Sequence, residues 1–206
     1  MMNPKSLKPT RKTFIISEAF PEGIWYTEID RLRRIAHSQL AKLEELVTKI
    51  NSMWPKPLSE SLKGSEIPAD LNALVEERDL TSEITQLYAL MAVEAFLNYY
   101  GAVRIGEEDY KTHFERLSLV PKVQQLLLIC DSKSIMVNDP IIKAIELLAE
   151  SRNKLIHPKA SKAKSSNDPQ KLGTHIPKAA QGSVTAMITF FNEFELLTPD
   201  SKHFFN

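Results

Sequence analysis

The chain has 206 residues, of which 43% are hydrophobic and 25% charged, and its 26 basic and 26 acidic side chains cancel. This length is enough for one hydrophobic core, so the fold does not need disulfides or metal ions for stability. The single cysteine, Cys130, excludes an internal disulfide and a cysteine-rich zinc site, and it fits a reducing compartment. No metal or cofactor motif is present, and the six glycines are too dispersed for a phosphate-binding loop.

The N-terminal region is basic but lacks the features of a targeting segment. Residues 1–12 contain four basic side chains and no acid, and no long apolar run follows them. We interpret 1–12 as a disordered basic arm and 13–206 as a single helical domain, and we expect a cytoplasmic protein without a membrane segment. From Thr27 to Met53, apolar residues recur at three-and-four spacing between charged positions, which predicts a long amphipathic helix.

The second predicted helix is the most apolar part of the chain. Residues 55–80, rich in Pro, Ser and Glu, are predicted to be a linker or insertion, and Thr81 then begins a helix that runs to about Arg104. This helix has almost no polar face, which favours a central, covered position over a membrane span. Its polar residues Glu94 and Asn98 are four apart and therefore neighbours. Glu94 either pairs with Arg152 inside the bundle or reaches solvent at its edge.

Four further helical segments complete an all-α bundle of about five main helices. Tyr110–Leu117 and Pro121–Cys130 are predicted to be short helices, and the last helix is predicted to begin at Pro177. Between them, Asp139 and Pro140 are typical of a helix start, and Pro158 ends the helix that follows. No segment calls for a strand.

The helix between Pro140 and Pro158 carries a concentration of polar groups near its end. At about 100° per residue, Arg152 falls within the apolar stripe of this helix, which consists of Ile141, Ile145, Leu148 and Leu155. Asn153 and His157 are four apart on a neighbouring face. Spacing alone is also compatible with a structural role, because basic side chains near a helix C-terminus complement the helix dipole.

A basic loop is predicted at 159–176. From Arg152 to Lys178 the chain has seven basic residues against Asp168 alone, a balance of +6. These side chains are either ordinary solvated lysines or a surface that attracts a polyanion. In the second interpretation the RNA-binding residues are Lys154, Lys159, Lys162, Lys164, Lys171 and His175.

The sequence from Arg152 to His157 resembles the Arg-x4-His motif of HEPN-domain proteins, and Asn153 matches the polar residue that often follows the arginine. Glu94 and Asn98 resemble the Glu-x3-Asn pattern of several HEPN subfamilies. The order of the helices is similar over roughly residues 27–197. The segment 55–80 is not part of that pattern.

The resemblance implies a homodimeric helical bundle in which two Arg-His motifs meet in a cleft. Many HEPN proteins are metal-independent endoribonucleases of toxin, abortive-infection or other conflict systems, and an antitoxin or another protein partner would fit that class. The implied catalytic residues are Arg152, Asn153 and His157, with Glu94 and Asn98 in support and RNA as the partner. No metal or cofactor is implied.

Two other interpretations remain open. In the first, the chain is a non-catalytic HEPN-like module that binds RNA or a protein; Arg152 is then an ion-pair partner of Glu94, and His157 only ends the helix. In the second, the chain is an unrelated helical scaffold. The position of Arg152 and His157, at a cleft or covered within one chain, distinguishes these possibilities.

Overall fold

The computed structural model describes residues 28–53, 69–156 and 169–199, without the side chains of 156 and 169–176. Six helices account for 88% of the described residues, and no strand occurs among them. The helices are α1 (Ile29–Met53), α2 (Ala69–Ile105), α3 (Glu107–His113), α4 (Leu119–Asp131), α5 (Pro140–Ile156) and α6 (Pro169–Leu197). The predicted all-α helical bundle is confirmed. The basic arm at 1–12 lies outside the described residues.

Helix α2 is the central element, and it is longer than the sequence predicts. It has 37 residues and contacts α1, α3, α4, α5 and α6. The prediction that this helix begins at Thr81 is wrong, because 69–80 are helical as well. Leu71 is 1% exposed, and Lys42 of α1 forms an ion pair with Glu77 at 2.7 Å. Packing against α1 therefore stabilises a segment whose polar composition predicts a linker. Residues 54–68 lie outside the described part.

An aromatic cluster joins α2 to α6. The ring of Phe96 lies 5.8 Å from Phe190, 5.4 Å from Phe191 and 4.9 Å from Phe194, in edge-to-face geometry. Tyr100, one turn further along α2, lies 5.0 Å from Phe194. Such pairs add a directional preference to the burial of large apolar side chains, so they set the register of α6 on α2.

Helix α6 begins at Pro169, so two predictions about this region are wrong. The last helix does not begin at Pro177, and the predicted loop at 159–176 is helical over 169–176. Pro177 lies inside the helix, although proline has no backbone N–H to donate to the carbonyl four residues earlier. Local preference favours a helix start at Pro177, and the structure continues the helix for eight residues before it.

The pair of short helices, α3 and α4, is flanked by two residues with positive φ, Gly106 before α3 and Ser132 after α4. Gly106, at φ 104°, ends α2 and lets α3 begin at Glu107 rather than at Tyr110. Ser132, at φ 53°, ends α4, and its backbone N–H donates to carbonyls of the last turn. After the turn at Gly106, α3 and α4 pack against the C-terminal half of α2.

Most of the apolar surface of α2 is covered within one chain, and the exceptions are Leu80 and Met91, which are 57% and 45% exposed. Leu90, Val93, Phe96 and Leu97 are each at most 2% exposed, which confirms the predicted central position of this helix. The burial of these side chains within one chain gives no argument for a dimer. In the described parts of the chain, no helix combines the length and the apolar character that a membrane span requires.

Candidate functional site

Arg152 is exposed near the C-terminus of α5, although the sequence predicts that it lies among buried apolar side chains. Ile141, Ile145 and Leu148 are at most 1% exposed, and Leu155 is half-buried. Arg152 points in the direction of this stripe on a helical wheel, but its side chain is exposed to solvent. The burial expected for Arg152 is wrong because the stripe is covered only as far as the preceding turns. Its guanidinium therefore needs no buried partner.

Ser151 is the buried residue of this turn. It is 9% exposed, and the hydroxyl of Ser183 on α6, which is 0% exposed, donates to the Ser151 hydroxyl at 3.3 Å. This contact fixes the rotation of the α5 C-terminus against α6. Arg152 and Asn153, both exposed, then present their side chains to solvent. Sequence analysis missed this contact; a serine at a core position on each of two adjacent helices is a weak signal.

Lys154 is exposed and forms an ion pair with Glu150 at 2.8 Å, one turn earlier on α5. The hydrogen bond and the charge of Lys154 lower the pKa of the Glu150 carboxyl. An exposed pair of this kind is weak, so Lys154 can exchange the carboxylate for a phosphate at small cost.

Several predicted site residues lie outside the described part of the chain. They are His157, Lys159, Lys162 and Lys164, together with the side chains of Lys171 and His175. The structure therefore describes Arg152, Asn153 and Lys154 of the predicted motif and loop, and it places these three on consecutive positions of α5.

Glu94 and Asn98 lie next to α3 and α4. The Asn98 side-chain oxygen accepts a hydrogen bond from the Tyr110 hydroxyl at 2.5 Å and another from Lys122 Nζ at 3.0 Å. Glu94 is half-buried. Its charge adds to the raised pKa of Tyr110, which is mainly due to burial, and it opposes the burial that lowers the pKa of Lys122. The described residues contain no ion pair between Glu94 and Arg152, which was the first of the two alternatives for Glu94. Its alternative, a Glu94 side chain at the bundle edge, fits the partial exposure better.

The hydrogen bonds among Asn98, Tyr110 and Lys122 join α2, α3 and α4. Lys122 is 4% exposed, and its Nζ also donates to the Glu115 carbonyl at 3.1 Å. Burial lowers the pKa of the Lys122 ammonium, whereas nearby carboxylates oppose that change. Burial is also the main cause of the raised pKa of Tyr110. The sequence did not reveal this role, because lysine is usually a surface residue.

A second polar cluster joins the C-terminal ends of α2 and α4. Arg104 forms an ion pair with Asp131 at 3.2 Å, and its guanidinium also donates to the Cys130 carbonyl. The Tyr100 hydroxyl donates to the same carboxylate. Burial is the main cause that raises the pKa of the Cys130 thiol to about 11, which makes it a poor nucleophile at neutral pH. Every group in this cluster has a protein partner, so we assign it a structural role.

Comparisons with known proteins do not identify this chain: no family model, curated protein or solved structure matches it. In the described ranges, no three His, Cys, Asp or Glu side chains lie close enough together to hold a metal ion. The exposed turn with Arg152, Asn153 and Lys154 is the candidate functional site, because its charged and polar side chains have no buried structural partner there.

Proposed function

We propose that this protein is a metal-independent endoribonuclease of the HEPN type that acts as a dimer in the cytoplasm, in a toxin or other defence system. The observation that carries the proposal is the joint exposure of Arg152 and Asn153 on α5, a few residues before His157. A fixed cation and an amide face solvent at a helix end, followed in sequence by a side chain that titrates near neutral pH.

The chemistry assigned to each residue follows from its functional group. The Arg152 guanidinium is always charged and offers two parallel donors to phosphate oxygens. His157 accepts the proton of the ribose 2′-hydroxyl, whose oxygen attacks the adjacent phosphorus and breaks the bond to the 5′-oxygen. The imidazolium then returns a proton to the leaving 5′-oxygen. Asn153 orients the imidazole or binds a phosphate oxygen. The products are a 2′,3′-cyclic phosphate end and a 5′-hydroxyl end.

The exposure of Arg152 favours this function over the non-catalytic rival. That rival assigns Arg152 to a structural ion pair with Glu94, and the described residues contain no such pair. An exposed arginine that forms no ion pair with Glu94 can bind a phosphate group of a ligand. The basic balance of +6 from Arg152 to Lys178 supports a polyanionic ligand at the same end of the chain.

Purified protein should cleave single-stranded RNA and leave 2′,3′-cyclic phosphate ends. We expect the cleavage rate to be unchanged by a chelator, because the proposed acid-base group is an imidazole and the proposed phosphate ligand is a guanidinium. The measurement is gel or mass-spectrometric analysis of a broad panel of RNAs, with and without chelator. If no RNA in the panel is cleaved but some are bound, the binding module becomes the better assignment.

We also expect a two-fold dimer with the two α5 helices near the axis. Leu147 on α5 is 41% exposed, and we place it in this interface. Light scattering at protein concentrations on the order of tens of micromolar should give the mass of a dimer. Leu147→Glu should shift the protein towards monomer, whereas Leu128→Glu, at a 57% exposed position on α4, should not. A monomeric wild-type protein at these concentrations would argue against both the dimer and a shared site.

A further inference from the structure

Pro177 divides α6 into two parts. Proline has no backbone N–H, so the Gly173 carbonyl lacks the hydrogen bond that it would otherwise receive from residue 177. The proline ring also crowds the preceding turn, and glycine at 173 further disfavours the helical state. The segment 169–176 is therefore joined to the rest of α6 by its weakest turn.

The sequence provides α6 with two possible starts. Pro169 follows Asp168, a residue type that favours the position before a helix, and Pro177 is equally suited to the first helical position. The buried side chains described on α6 begin at Ala180 and continue through Val184 and Met187. Core packing of these side chains holds the part after Pro177 in either case, so it does not favour the start at Pro169.

We propose that α6 exchanges between two N-termini, one at Pro169 and one at Pro177, with residues 169–176 opening together about Pro177. The short form extends the connection after α5 from 157–168 to 157–176. That connection then includes Lys171 and His175, as the sequence alone predicts. A role of this longer basic connection in binding RNA rests on the proposed function. The exchange between the two helix starts does not depend on it.

Amide hydrogen exchange by NMR on the full chain, without RNA, tests the proposal. The N–H groups of residues 173–176 have helical acceptors, the carbonyls of 169–172, only in the long form. We expect their protection to be at least about tenfold lower than that of residues 184–187. Pro177→Ala should raise the protection of 173–176 about tenfold or more and leave 184–187 unchanged, because alanine restores the hydrogen bond to Gly173.

The same measurement can overturn the proposal in two ways. Protection of 173–176 equal to that of 184–187 in the wild type would mean that the long form alone is populated. Unchanged protection in Pro177→Ala would mean that this proline does not control the opening. If Pro177→Ala fails to fold, Gly173→Ala serves instead, with an expected increase of about threefold or more in the protection of 174–176. The hydrogen-exchange result tests the two helix starts even if the protein cleaves no RNA, so a failure of the proposed function can be told apart from a failure of this proposal.

Discussion

Replacing His157 by alanine lowers the rate of RNA cleavage by about a hundredfold or more, as expected for the loss of a general acid-base. In the sequence the residue follows Ile156, the last residue of α5 that the structure describes, and precedes Pro158. We expect the variant to keep its fold, its dimer and much of its RNA binding. Single-turnover cleavage rates, together with circular dichroism and RNA affinity, measure these properties separately.

Two matched variants of α5 complete the test. Arg152→Ala should also lose most cleavage, and its free energy of unfolding should change by no more than about 0.5 kcal/mol, because Arg152 is exposed. A buried pair with Glu94, one of the two alternatives that the sequence leaves open, would predict a larger loss of stability. Lys143→Ala, at another exposed position on α5, should leave both properties unchanged. If His157→Ala cleaves RNA as fast as the wild type, the proposed active site is wrong.

The largest expected loss of stability from a single added methyl group occurs at Gly101. A Cβ atom there would lie 2.4 Å from two ring carbons of Tyr110 and 3.1 Å from Leu126 Cδ2. The Tyr110 ring cannot easily move, because its hydroxyl donates to Asn98 and Lys122 Nζ lies 5.7 Å from the ring centre. We expect Gly101→Ala to lower the free energy of unfolding by about 2 kcal/mol, the typical cost of overpacking a core. Urea denaturation measures the change.

Gly182 on α6 provides the matched control. A Cβ atom at this position meets only Leu147 Cδ2, at 3.9 Å, which is an ordinary contact. Alanine in a helix is favoured over glycine by up to about 1 kcal/mol, so Gly182→Ala should leave stability unchanged or raise it. If both variants have the same effect, the close approach of Tyr110 to Gly101 is not what limits substitution there.

Much of the helical architecture could be predicted from the sequence, because apolar periodicity and capping residues act locally. The stripe of Ile141, Ile145 and Leu148 is buried as predicted, and α5 begins at the predicted Pro140. The apolar α2 is central as predicted, and the aromatic face of α6 packs on it. An apolar side chain is buried whichever neighbouring helix covers it, so the buried face of a helix can be predicted without knowing its neighbours.

The starts of α2 and α6 depend on more than local preference. The segment 69–80 is rich in polar residues, and it is helical because Leu71 is buried and Glu77 pairs with Lys42 of α1. A helix supported by tertiary contacts can extend beyond the point where its own propensity would end it. The start of α6 at Pro169 also differs from the predicted start at Pro177, although Asp168 and Pro169 are themselves a residue pair that is typical of a helix start.

The surroundings of the polar residues were also decided by contacts between distant parts of the chain. A helical wheel gives the direction of Arg152 but not the point at which neighbouring helices stop covering α5, so its exposure could not be predicted. Asn98 meets Tyr110 and Lys122 rather than α5, because the chain turns at Gly106, at φ 104°, and α3 packs back against α2. Side-chain partners depend on where helices end and turn, and a single residue with positive φ changes the direction of the chain that follows it.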